Sequence, residues 1–250
     1  MHAAGPTENR LPPDVPALLA DVAPIGPFFA VATGAAPPGA GWVTLRALHR
    51  EPAPLRARIA DVRAALGTDQ RVATSTAFQG LAAQVVAPLY AAAVRGALPD
   101  SGDLAATLHW RPVGAPWLWW PGTEGWVVAC ADPDAAALGG VLTGLLGPLV
   151  AAVRAQVSIS DRVLWGDVAS AVASARRLVV AARPEATERA TAVAERLLDA
   201  APLARTAALR APEPPDVGWT FRRRSCCLYY RVPGGAVCGD CILLDRRPRG

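Results

Sequence analysis

The sequence predicts an α+β fold, in which a predominantly α-helical domain carries a small antiparallel sheet and ends in a short irregular Cys-rich C-terminal segment. Three observations point there. Apolar residues make up 52% of a 250-residue chain, enough to bury a sizeable core, and alanine, valine and leucine supply most of them. Long Ala/Leu-dense stretches favour helix, while the strand-like stretches are short, come in pairs and are flanked by Gly and Pro, so the two kinds of element are segregated along the chain. Four of the five cysteines fall in the last twenty-five residues, where no comparable apolar run exists.

Apolar density and capping residues predict helices over 54–66, 74–98, 134–155, 160–182 and 184–200. Ser160 suits an N-cap with Asp161 in the first turn behind it, and Pro184 suits the first helical position. Pro88 and Pro148 fall inside two of these runs and are expected to kink or divide them, because proline removes one helical hydrogen bond. Strands are expected over 28–33, 42–48, 105–111 and 126–131. The uncharged run 135–153 is long enough to raise a membrane span. Its alanine and glycine content, the interrupting Pro148 and the lack of a companion span favour a buried helix with no transmembrane segment. The Gly140-x3-Gly144 spacing within it is no more than such a composition produces by chance.

Three prolines and a glycine between Arg210 and Gly218 exclude a helix and predict an extended linker. The chain is therefore divided into a helical domain over 1–209, a Pro-rich linker over 210–218 and a metal-binding segment over 219–250.

Cys226, Cys227, Cys238 and Cys241 form a C-C-x10-C-x2-C pattern, which reads as a thiolate metal site. Disulfides are disfavoured, because the first sixteen residues carry Glu8 and Asp14 and lack the basic and apolar stretches of an export signal. The expected location is the cytoplasm. Zinc and an iron-sulfur cluster both accept four thiolates, but structural zinc sites draw on knuckles with residues between their ligands. Neighbouring thiolates at Cys226 and Cys227 diverge along an extended backbone and suit a binuclear core better than one tetrahedral ion. A 2Fe-2S cluster is the favoured cofactor, with zinc as the alternative.

The run Arg223-Arg224-Ser225-Cys226-Cys227-Leu228-Tyr229-Tyr230-Arg231, followed by Cys238-Gly239-Asp240-Cys241, resembles the C-terminal 2Fe-2S motif of the FhuF-like ferric-siderophore reductases. A weaker similarity lies in Leu164-Trp165-Gly166-Asp167-Val168-Ala169-Ser170, where the family leads one to expect Asn in place of Asp167. The resemblance implies that the four cysteines ligate the cluster and that the protein reduces siderophore-bound Fe(III), releasing Fe(II) for iron assimilation. Read without it, a 2Fe-2S centre still implies one-electron chemistry, and Fe(II) is held less tightly than Fe(III) by hard oxygen donors. No G-x-G-x-x-G or other nicotinamide or flavin signature is present, so an external donor such as a ferredoxin or flavoprotein reductase is expected. The competing class is a non-catalytic module whose metal knuckle, zinc or cluster, holds structure or senses redox state and iron supply.

All 25 basic residues are arginine. Arg222, Arg223 and Arg224 precede the cysteines, Arg231 lies between them, and Arg246, Arg247 and Arg249 follow. A net charge of +4 with no nucleic-acid-binding motif argues against a nucleic-acid partner. Guanidinium groups there would offset the charge of about −2 on a four-thiolate diferric core and attract an acidic redox partner or an anionic chelate. Arg223, Arg224 and Arg231 are candidate contacts for substrate or partner, as are Trp119 and Trp120 in the aromatic group with Trp110 and Trp117. A peripheral membrane association is compatible with this chain. His2, His49 and His109 show no metal spacing, and Cys130 reads as a small buried hydrophobe.

Overall fold

The computed structural model describes residues 14–99, 102–122, 126–128 and 135–244. Eight α-helices are found among them: α1 (Val15–Val22), α2 (Leu45–Arg50), α3 (Pro52–Leu66), α4 (Gln70–Val94), α5 (Leu104–Thr107), α6 (Ala135–Gln156), α7 (Asp161–Ala182) and α8 (Thr187–Asp199). The strands are β1 (Val31–Thr33), β2 (Val43–Thr44), β3 (Ala97–Pro99), β4 (His109–Trp110), β5 (Leu118–Trp120), β6 (Trp126–Val128), β7 (Ala207–Arg210) and β8 (Thr220–Arg223). The predominantly helical α+β expectation holds.

Helix α4 is the axis of the molecule, buried on nearly every side, with α1, α3, α6, α7 and α8 packed around it. Its start is specified locally: the Asp69 side chain accepts from the Val72 amide at 2.9 Å. It runs unbroken through Pro88, and α6 runs unbroken through Pro148, so neither proline divides its helix. Ser160 caps α7 as expected, accepting from the Arg162 amide at 3.2 Å. Leu138, Leu142, Leu145 and Leu149 recur along one face of α6 and are buried, each contributing about 1.5–3 kcal/mol of transfer free energy. Gly140 and Gly144 face open space on that helix and mediate no close packing.

Both α4 and α6 are long and apolar enough to cross a membrane, so the second candidate span overlooked in the sequence is α4. The apolar window of α4 is 83% buried by the helices around it, as the core helix of a bundle would be, and that of α6 is 39% buried.

The sheet order is β1-β5-β4-β2, with β4 antiparallel to both β5 and β2, and β1 parallel to β5. Strands β3 and β6 form a separate antiparallel pair, as do β7 and β8. Three expected strands are shorter than the sequence implied, the first being 28–33, which is strand only over Val31–Thr33 after a 3₁₀ turn over Pro27–Phe29. Trp42, Val43 and Thr44 open the 42–48 run with β-favouring residues, but the Thr44 hydroxyl accepts from the Ala47 amide at 3.1 Å and starts α2. In 105–111 only His109 and Trp110 are strand, after the helical turn α5. The expected strand 126–131 is observed over Trp126–Val128, and its remainder, with Cys130, lies outside the described residues.

Residues 210–218 join two paired strands, β7 and β8, as the closing loop of a hairpin rather than as an extended spacer. The loop is held against α7 and α8. Arg177 pairs with Asp216 at 2.5 Å, Arg176 lies 3.9 Å from the Trp219 ring centroid, and the Trp219 indole donates to Glu195 at 2.9 Å.

Deep in the core, the Trp110 indole N–H donates to Gln84 Oε1 at 2.7 Å. Gln84→Leu removes the acceptor and strands that donor, so chemical denaturation should report a loss of about 1–3 kcal/mol.

Candidate metal centre

Strand β8 ends at Arg223, whose side chain turns inward between the first turns of α4 and α7. Its Nη1 donates to Asp167 Oδ1 at 2.5 Å, Nη2 to the Val163 carbonyl at 3.0 Å and Nε to the Ser225 carbonyl at 3.1 Å. Ser75 of α4 donates to the other Asp167 oxygen at 3.3 Å. Both charged side chains are fully buried. Burial pushes the Asp167 carboxyl up to about 7, with Arg223 and Ser75 pulling the other way. Burial is the largest influence on Arg223 and opposes its charge, but Asp167 together with Cys227 and Cys238 outweighs it and raises the guanidinium.

The close approach requires Gly166. A Cβ there would sit 2.9 Å from Arg223 Nη2 and would overlap Ser225 Oγ.

Beyond this anchor the chain makes two turns that carry the thiols. Leu228 adopts φ 67°, the left-handed conformation, and reverses the backbone immediately after Cys226 and Cys227. A short 3₁₀ turn over Tyr229–Arg231 follows, then Gly234 at φ 71°, and the Gly235 amide returns to the Val232 carbonyl at 2.8 Å. The second turn closes when the Cys241 amide donates to the Cys238 carbonyl at 3.0 Å. Asp240 ties it down: its carbonyl accepts from the Arg223 amide at 2.9 Å, and its carboxylate accepts from the Ser170 hydroxyl of α7.

These turns bring Cys227 Sγ and Cys238 Sγ to 3.5 Å. The hydrogen bond shared by the two sulfurs holds Cys227 down to about 6, helped by Arg223, and raises Cys238. Backbone amides aim at the other sulfurs, Leu228 N–H at Cys226 (3.3 Å) and Leu243 N–H at Cys241 (3.4 Å). Burial raises the Cys226 thiol despite that bond. Cys227 and Cys241 are buried, and Cys226 and Cys238 are partly exposed.

Four soft donors on two adjoining turns, with N–H groups directed at sulfur, fit a thiolate-bound iron-sulfur core. Among the described residues, no three His, Cys, Asp or Glu side chains converge on a single ion position. The setting also suits an anion. Arg223 touches the first turn of α7 and Arg231 pairs with Asp69, the N-cap of α4, at 3.2 Å, so the positive ends of two long helices lie beside the cysteine segment.

Residues 223–241 match the FhuF 2Fe-2S C-terminal domain. The FhuF match opens on the buried Arg223 and closes on Cys241, so it spans the anchor as well as all four thiols, and it supports a 2Fe-2S cluster as the cofactor. No curated protein and no solved structure matches the chain.

Other candidate residues are placed differently. Arg223 is 1% exposed and saturated by internal partners, so it cannot touch a substrate. Arg231 is engaged with Asp69, and Arg222 bonds Glu213 at 2.7 Å and the Gly239 carbonyl at 2.9 Å. Arg224 is exposed. Arg246, Arg247 and Arg249 lie outside the described residues. Trp119 and Trp120 are not brought to the cysteines. They belong to β5, beside Trp110, which meets α4 at Gln84, roughly 22 Å along the helix from Asp69. Trp119 packs there on His109, with ring centroids 4.5 Å apart, and Trp120 is 3% exposed in the core. Sequence reasoning missed Ser75, Ser170 and Asp240 as supports of the site. Ser75 and Ser170 are polar residues inside otherwise Ala/Val-rich helices, Ser170 one turn after Asp167, and Asp240 sits between the two cysteines of the second turn.

Arg223→Met leaves the Asp167 carboxylate buried without a counterion, and urea denaturation should show a loss of about 3–5 kcal/mol. Replacing both partners, Asp167→Leu with Arg223→Met, should recover most of it.

Proposed function

We propose that Cys226, Cys227, Cys238 and Cys241 hold the 2Fe-2S cluster and that the protein is a ferric-siderophore reductase. The observation that carries the reading is the thiol-bearing double turn, anchored by a buried ion pair, within a segment that matches a 2Fe-2S domain. Such a cluster supplies one electron at a time, and one electron converts chelated Fe(III) to Fe(II), which oxygen donors release more readily. The chain's own residues hold the centre in place, protect one thiol of each turn from water and leave Cys226 and Cys238 toward solvent, where a donor and a chelate have access. Electrons come from a separate ferredoxin or flavoprotein, the substrate is a ferric siderophore, and the reaction takes place in the cytoplasm.

A second reading has its own support. Asp240 and Arg223 knit the cysteine turns to α4 and α7 as a structural staple would, which is what a non-catalytic metal module requires.

Anaerobically purified protein should be red-brown, with about two irons and two sulfides per chain, and Cys241→Ser should lose that absorption. Mixed in its reduced form with a ferric siderophore and a ferrous trap, it should bleach no further but reoxidise as trapped Fe(II) accumulates. A colourless zinc protein, or a reduced cluster indifferent to the chelate, selects the non-catalytic module instead.

A further inference from the structure

A cavity of about 400 Å³ lies against the cysteine segment, between the first turn of α7 and the turn that precedes β7. Arg162 and Trp165 line it from α7, Arg205 and Thr206 from the turn, and Arg224 from the strand end that leads to Cys226. We infer that this cavity is the seat of the ferric chelate and selects complexes that carry net negative charge on free carboxylates. The inference rests on the reductase reading and deepens it by naming the substrate class.

Charge is the first argument. Arg177, Arg183, Arg222, Arg223 and Arg231 each face a carboxylate. Arg162, Arg205 and Arg224 are exposed and, among the described residues, have no carboxylate partner for their guanidinium groups. Asp161 on the rim is committed elsewhere, bonding the Arg162 amide at 2.8 Å and facing Arg154 at 4.0 Å. Three arginines therefore line one cavity whose single acidic residue, Asp161, pairs outward, and guanidinium groups so placed capture carboxylates by paired N–H donors.

Backbone geometry is the second. Arg205 is held at φ 66°, a region that costs a non-glycine residue energy and where a glycine would be relaxed. The turn is fastened on both sides, by the Thr206 amide to the Leu203 carbonyl at 3.0 Å and by the Arg224 amide to the Thr206 carbonyl at 2.8 Å. That second bond locks the Arg205 turn to the Arg224 wall. A strained, doubly pinned arginine points to a function for its side chain.

Position is the third. Arg224 is two residues from Cys226, so their Cα atoms are separated by at most about 7 Å. The larger cavity, about 870 Å³ between the C-terminal ends of α3 and α6, is lined by no residue of 223–241. Its size suits a bulky ligand, but it is not walled by the cysteine segment. The smaller cavity is near the low end of the about 300–1,000 Å³ typical of ligand pockets and fits a compact citrate-type complex beside Trp165.

Gallium(III) separates binding from electron transfer, because it takes the same oxygen ligands and accepts no electron. Calorimetric titration of the holoprotein with anionic gallium citrate should show saturable binding that weakens with added salt, and neutral gallium tris(acetohydroxamate) should bind at least about tenfold more weakly. Arg205→Gln and Arg162→Gln should each raise the citrate Kd by about tenfold, while Arg56→Gln in the larger cavity should leave it unchanged. Equal affinity for the two complexes, or wild-type affinity in both cavity variants, overturns the assignment. Selective gallium citrate binding together with a reduced cluster that ferric citrate fails to reoxidise would uphold the cavity and sink the reductase reading.

Discussion

The buried pair of Asp167 and Arg223 is the constraint from which the metal centre follows. Two full charges without solvent contact cost several kcal/mol each to desolvate, and the cost is met here by one 2.5 Å ion pair plus bonds to Ser75, Val163 and Ser225. Those bonds fix three pieces of chain at once: the start of α4, the start of α7 and the end of β8. Replacing Gly166 by any other residue would pry them apart. The cysteine turns inherit their position from this junction, since Cys226 follows Arg223 by three residues and the Arg223 amide holds the carbonyl of Asp240, next to Cys241.

The same junction places charge. Thiolates shared by a cluster are anionic, and the segment that carries them sits where two long helices begin and where Arg223 is already committed to a fixed orientation. The most cationic neighbours were not all equivalent, although they are adjacent in sequence. Arg222, Arg223 and Arg224 alternate along the β8 edge, so one meets Glu213, the next is driven into the core and the third is left at a cavity wall.

Much of the helical body was legible in the sequence, because Ala/Leu density and local caps such as Ser160 act within one turn. The cofactor was equally legible, since four cysteines with that spacing report chemistry without needing the fold. Most of what escaped depended on distance along the chain. Residues 210–218 look like a spacer until Ala207–Arg210 is seen paired with Thr220–Arg223, whereas the early end of the 42–48 strand is a local effect, the Thr44 hydroxyl capping α2 at the Ala47 amide. Asp167 and Arg223 are 56 residues apart, so no periodicity links them. The tryptophans misled for the opposite reason. Closeness in sequence made Trp119 and Trp120 look like a binding surface, whereas they serve the sheet at the far side of α4.

The order of the chain gives the ion pair a kinetic meaning. Ribosomal synthesis delivers α4 and α7 well before residue 223, so for an interval the Asp167 carboxylate faces its future socket with no cation to neutralise it. Tight docking of those two helices around an ionised Asp167 is unfavourable without Arg223. The side chain that neutralises Asp167 lies three positions before Cys226, so the docking of α4 with α7 and the positioning of the thiols draw on the same residue.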